Sequence, residues 1–136
     1  MYHRILVPVA PGGADRAAEA LKVAAALSAD DAGVTLLTVA EPVPAYVDSY
    51  IPDEIVKENR LAMEAALKDL ADAAPGKVKT ALITGHAARA IVDYASAKKI
   101  DCIVIASHQP ELADYFTGSN AAWVARHADC SIHVIR

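Results

Sequence analysis

Five short runs rich in β-branched and aliphatic residues, at positions 3–9, 34–40, 78–84, 102–106 and 132–135, are separated by stretches with helical spacing. Such regular alternation predicts an α/β fold built on a parallel sheet, because parallel neighbours need a long crossover and a helix supplies it. The second and fourth runs, VTLLTVA and CIVIA, are apolar nearly throughout. Strands that read this way are covered by helices on both faces, which puts these two in central positions.

The intervening segments fit that scheme. Ala17, Ala20, Leu21, Ala24 and Ala25 recur at helical spacing after the first run, with Asp30, Asp31 and Gly33 expected to stop that helix. A longer helix opens at Asp53, carries Met63, Ala66, Leu67 and Leu70 on one face, and stops at Pro75 and Gly76. Ala87, Ala90, Ile91, Tyr94 and Ala95 mark a third helix that closes on Lys98 and Lys99, cations suited to the negative end of its dipole. A fourth, short helix is expected from Ser119 to about His127. The stretch 41–52, with Pro42, Pro44, Tyr46 and Tyr50, is too rich in proline for a helix and reads as a structured loop near the sheet end. Alanine dominates the helix faces, so packing relies on close approach rather than bulk.

At 136 residues and 54% hydrophobic, the chain is one domain, 1–136, with enough apolar material for a core, which excludes disorder. Its 13 Lys and Arg against 17 Asp and Glu are spread along the chain, and the net charge is −4. That balance provides no concentrated basic patch for nucleic acid or an anionic membrane surface. No apolar run approaches the ~20 residues that cross a bilayer. The first apolar run gives way at once to Pro11, Gly12 and Gly13 rather than to a leader-type segment, so a cytoplasmic location is expected. Cys102 and Cys130 form no CxxC pair and read as reduced thiols in or beside strands.

In an open parallel sheet a ligand binds beyond the carboxyl ends of the strands, where helix N-termini present free N–H groups. Three segments qualify: 8–13, 38–42 and 107–120. The last is unusually long for a compact domain and ends in Thr117, Gly118, Ser119 and Asn120. Gly118 permits close backbone approach, the Ser119 hydroxyl can bond a phosphate oxygen or cap a helix, and Asn120 adds a neutral donor. A phosphate cradle and a simple helix start both remain open for these residues. GxxxxGK[ST], GxGxxG, GxSxG and HExxH are all missing, and there is no clustered set of His, Asp and Glu. Ser107 and His108 are adjacent but have no orienting carboxylate, so no catalytic residue and no metal-ligand set is assigned.

The segments HRILVPVAPGG and GHAARAIVDYA, and above all CIVIASHQPELADYFTGSNAAWVARHADCSIHVIR, resemble the universal stress protein family over essentially the whole chain. The run of SH, P, GSNAA and VxRHAxCSxxVxR is similar to the F/G-type branch. The resemblance implies an open five-stranded parallel sheet in order 3-2-1-4-5 with helices on both faces, of the adenine-nucleotide alpha-hydrolase-like kind. It also implies a nucleotide cleft between the first and fourth strands, and homodimers that pair the last strand through Ile132, Val134 and Ile135, with a tetramer as the larger assembly. Many members bind ATP through G-x-x-G and, after a spacer, G-[ST]. Here the two glycines fall on Ala106 and Gln109, and the closing pair is Gly118 and Ser119. Ala10 stands where the family carries an aspartate that contacts the nucleoside.

By the same resemblance the adenine lies near Thr38 and Val39, and the ribose near Pro8, Val9 and Ala10. The phosphates fall on Ser107, His108, Gln109, Gly118, Ser119 and Asn120, at the end of the strand that closes on Ala106. ATP would bring Mg²⁺ through its phosphates, with AMP and ADP as alternatives. The implied role is a nucleotide-responsive stress regulator with, at most, slow ATP hydrolysis. The alternatives are a nucleotide-free dimeric interaction module and a slow ATP hydrolase or phosphotransferase. Segment 107–120 has no Lys or Arg and carries Glu111 and Asp114. A bound anion is therefore expected to rest on backbone dipoles, hydroxyls and a metal.

Overall fold

The computed structural model describes residues 1–11, 13–107 and 115–136. In chain order the elements are β1 (Tyr2–Pro8), α1 (Ala14–Leu27), β2 (Ser28–Ala40), α2 (Ala45–Asp48), α3 (Asp53–Ala73), β3 (Val78–Thr84), α4 (Ala87–Ala97), β4 (Cys102–Ala106), α5 (Tyr115–His127) and β5 (Ser131–Ile135). The strands form one sheet of order β3-β2-β1-β4-β5 with every pairing parallel. β2 and β4 are interior, as their apolar runs require, and β1 between them is the middle strand. Its Ile5, Leu6 and Val7 are wholly buried.

Alternate side chains of these strands feed two cores. On one face Ile5, Val7, Leu36 and Val104 pack with Ala20, Leu21 and Ala24 of α1 and Leu67 of α3. On the other, Leu6, Leu37, Ile103 and Ile105 pack with Ile91 and Ala95 of α4 and with Ala121 and Val124 of α5. Helices therefore cover both faces, and the buried alanines let α1 and α4 lie close to the strands.

The β1–β4 ladder is short, pairing Ile5 with Cys102 and Leu6 with Ile103. Asp101 extends it. Its carboxylate accepts the main-chain N–H groups of His3 (2.8 Å) and Arg4 (2.9 Å), and its own N–H donates to the Arg4 carbonyl (2.9 Å). No helix among the described residues is long and apolar enough to cross a membrane.

Four local expectations need correction. α1 stops at Leu27, not at Gly33, and residues 28–33 belong to β2. Ser28 turns extended (φ −79°, ψ 137°) and its hydroxyl donates to the Ala24 carbonyl at 2.7 Å, which ends the helix before Asp30 and Asp31. Pairing passes from Tyr2 opposite Ser28 to Arg4 opposite Gly33, so the extra residues of β2 are accommodated as an irregularity at its exposed tip. Segment 41–52 holds a four-residue helix, α2, whose N-cap is Pro44. Proline is tolerated before and at the first helical position because the N–H it lacks has no partner there anyway.

The fourth expected helix, α5, opens at Tyr115 rather than Ser119, so Gly118 lies within it. The helical cost of one glycine, about 1 kcal/mol, is small beside the packing of the apolar face that follows. Finally, Lys98 and Lys99 lie beyond the last turn of α4 rather than in it. Lys98 is the C-cap and Lys99 takes a left-handed conformation (φ 55°). The N–H groups of Lys99 and Ile100 return to the carbonyls of Ser96 and Ala95. This is a Schellman closure with lysine at the position glycine usually holds.

Cys102 and Cys130 are free and belong to opposite cores. Burial, reinforced by Cys130 and Asp101, pushes the Cys102 thiol from 9.0 to about 11. A raised value means that the fold favours the neutral thiol. The stabilisation is complete below about pH 9 and is lost as pH rises towards about 11. The urea midpoint of the wild type should therefore fall over that window more steeply than that of Cys102→Ala. Parallel pH profiles for the two proteins would count against it.

Candidate functional site

The chain builds outward from β1 to β2 and β3, then returns to the other side of β1 for β4 and β5. The strands flanking β1 are thus reached by crossovers that run in opposite directions, and a crevice opens at its carboxyl end. It holds a cleft of about 890 Å³ lined by Pro8, Val9, Ala10 and Pro11 at and beyond the end of β1, Leu37, Val39 and Glu41 from β2 and beyond, and Ile105, Ala106 and Ser107 at and beyond the end of β4. Gly13, Asp15, Arg16, Ala17 and Ala20 of α1, Ala87 and Ile91 of α4, and Asn120 and Ala121 of α5 complete the lining.

The floor is fixed by main-chain bonds. Val9 N–H donates to Leu37 O (2.8 Å), and Ser107 N–H donates to Ile135 O (2.7 Å). The turn into α1 closes through Gly13 N–H to Ala10 O at 2.9 Å. A Cβ on Gly13 would sit 3.1 Å from that same oxygen, so this approach needs a residue without a side chain. The N-cap residues of α1 and α4, Gly13 and His86, make no side-chain cap bond. At α4 the Glu41 carboxylate faces the Ala87 N–H at 3.5 Å, which places negative charge on that side of the cleft.

Of the residues expected to bind a nucleotide, Pro8, Val9, Ala10, Val39, Ala106, Ser107 and Asn120 are brought together around the cleft. Thr38 is not part of its lining: the side chain is buried and its hydroxyl donates to the Val9 carbonyl at 3.2 Å, which ties β2 to the end of β1. His108 and Gln109 lie outside the described residues. Gly118 and Ser119 occupy the first turns of α5 by their backbone, and their side chains are outside what is described.

The residue that sequence reasoning missed is Arg16. Among the described lining residues it is the one cation, beside the carboxylates Asp15 and Glu41. One guanidinium nitrogen, Nη1, donates to Glu19 Oε2 at 3.0 Å, and Nη2 reaches the carbonyls of Ile135 (3.2 Å) and Ser107 (3.4 Å). Its Nε–H is buried with no partner among the described residues. A buried donor left unpaired costs roughly 1–3 kcal/mol, so such a group invites an acceptor. One signal was available: Arg16 lies in the first turn of a helix, where the dipole disfavours a cation. Among the described residues no group of three His, Cys, Asp or Glu side chains could hold a metal ion.

The model of the universal stress protein family matches residues 1–136, the entire chain. A universal stress protein, UspA, from Lactobacillus plantarum is 29% identical, with a TM-score of 0.71 over 99% of this chain and 98% of that one. A universal stress protein from Archaeoglobus fulgidus in complex with dAMP is 24% identical, TM-score 0.63, over 99% and 98% of the two chains. A family protein from Arabidopsis thaliana with AMP bound is 18% identical, TM-score 0.63, over 98% and 90%. With a full-length family match and the same 3-2-1-4-5 sheet, this chain belongs to the universal stress protein family.

Proposed function

We propose that this chain binds an adenine nucleotide, ATP or AMP, in the cleft at the carboxyl ends of β1, β2 and β4, and acts as a nucleotide-responsive stress regulator. The observation that carries the reading is the cleft of about 890 Å³ at the point where the sheet's winding reverses. It lies within the usual size of small-molecule sites. Relatives of the same fold are described with dAMP and with AMP.

Leu37, Val39, Ala87 and Ile91 offer an apolar wall for the base, with the ribose against Pro8, Val9 and Ala10. The phosphates then fall beside Ala106, Ser107 and Asn120, with Gly118 and Ser119 directly before Asn120 in α5. The Glu41 carboxylate on the α4 side disfavours the opposite orientation. A triphosphate would carry Mg²⁺ with it, because the described residues supply no metal-ligand set of their own. Among the described lining residues none is placed as a base for hydrolysis, so turnover is expected to be slow at most.

The assembly proposed is a homodimer through β5, an edge strand whose main-chain groups on one side have no neighbour in the sheet. A second reading, a nucleotide-free dimeric module, is favoured by Ala10, which removes the acidic contact to the nucleoside that the family resemblance leads one to expect.

Denaturing the purified protein and chromatographing the supernatant, together with thermal unfolding in ATP or AMP with and without Mg²⁺, decides between them. Nucleotide binding predicts released adenine nucleotide, or about 2.7 kcal/mol of added stability at a ligand concentration near a hundred times Kd. No nucleotide released and no shift in melting would leave the second reading standing.

A further inference from the structure

We infer that Arg16 reads the phosphate of the ligand and so sets the preference of this cleft for a nucleotide over a nucleoside, an assignment that rests on the nucleotide reading above. The charge of the lining makes the point first. Asp15 and Glu41 are acidic, and the connection after β4, where phosphates are expected, contributes no Lys or Arg from the sequence. An anion held there by backbone dipoles alone would face a net negative wall. Arg16 is the compensating charge.

Its position fits that task. The Nη2 atom stands 3.4 Å from the carbonyl of Ser107, the first residue beyond β4, which places the guanidinium beside the floor on which an anion would rest. The side chain is 27% exposed, sheltered enough for a charge-assisted hydrogen bond to keep its strength yet open to the cleft. A guanidinium has five N–H donors. Glu19 and two carbonyls occupy three of them in the structure, and the buried Nε–H has no partner among the described residues.

Placement in the first turn of α1 is unfavourable for a cation in the empty protein and becomes favourable when an anion neutralises it. Glu19, 3.0 Å from Nη1 and half exposed, is then the competitor that an incoming phosphate must outbid. The net charge of −4 and the absence of a basic loop thus do not leave a phosphate without a cationic partner.

The test is calorimetric binding of ATP, AMP and adenosine to the wild type, Arg16→Gln, Arg16→Lys and Glu19→Gln, with melting temperatures recorded for each. Wild type should prefer AMP to adenosine. Arg16→Gln should weaken ATP and AMP at least about tenfold, the scale of a charged hydrogen bond, while adenosine stays within about twofold. Arg16→Lys should fall between, since it keeps the charge and loses the planar fork. Glu19→Gln should tighten AMP and leave adenosine unchanged.

Equal losses for AMP and adenosine in Arg16→Gln, or no loss for either, would overturn the assignment. If Arg16→Gln does not fold, the AMP-to-adenosine ratio in Arg16→Lys decides it by the same criterion. A wild type that binds adenosine and AMP equally refutes the role of Arg16 alone. A wild type that binds neither refutes the nucleotide reading and this assignment with it.

Discussion

Ile103→Ala is expected to cost ~3–5 kcal/mol of unfolding free energy, the upper part of the range for truncating a buried isoleucine. Ile103 is wholly buried in β4, paired with Leu6 of β1 and Ile132 of β5, and packed in the core beneath α4 and α5. The size of the loss depends on how well the surroundings can collapse into the space left behind. Here they include Ala95 and Ala121, whose methyl groups are held directly by helix backbones and have no rotamer through which to move inward. For a domain of this length the melting temperature should fall by roughly 10 °C or more. Chemical denaturation measures the change directly, and a loss below ~1 kcal/mol would mean that the helices move far more freely than close packing allows.

Val134→Lys should convert the proposed homodimer into single chains. β5 lies at the edge of the sheet, and Val134 is 41% exposed on it. Of the three residues expected at the interface, Ile135 is buried in the core under α1 and α3, and Ile132 packs against the core on the opposite face. Val134 is therefore the apolar side chain of the three that remains available to a second copy. A lysine there sets two like charges close together across a twofold contact, the device by which edge strands avoid pairing. Light scattering should then report a mass near 14.3 kDa for the variant and twice that for the wild type. An unchanged dimer would place the interface elsewhere, and a monomeric wild type would remove the dimer from the proposal.

How far the molecule could be read from its sequence depended on the range of the forces involved. The apolar runs of β2 and β4 declared their interior positions because burial on both faces removes the polar alternation that a half-covered strand must keep. The exchange of helix for strand at Ser28 was hidden, because Asp30 and Asp31 read as a polar helix stop and stand instead on an exposed strand tip. The start of α5 was misplaced by treating Gly118 as a boundary, a local preference that packing overrides.

In the cleft, main-chain positions such as Pro8 and Ser107 followed from the topology, since the carboxyl ends of parallel strands must converge there, whereas Ala106 came from the family resemblance. Arg16 did not. Its contacts run to Ser107 and Ile135, 91 and 119 residues away, and no spacing rule within one helix can anticipate them. Thr38 shows the converse: its neighbour Val39 lines the cleft while its own side chain turns to the strand beside it.

Ala10, Ala17, Ala20, Ala87, Ala106 and Ala121 all line the cleft. A wall of methyl groups has no torsions to freeze when a ligand arrives, whereas each long side chain immobilised at a binding surface loses about 0.5–1.5 kcal/mol of rotational freedom. Much of this cavity is thus ordered before anything enters it. For the proposed ligand, selectivity would rest on the few polar side chains of the lining, while the apolar walls would admit molecules of related shape at little entropic cost.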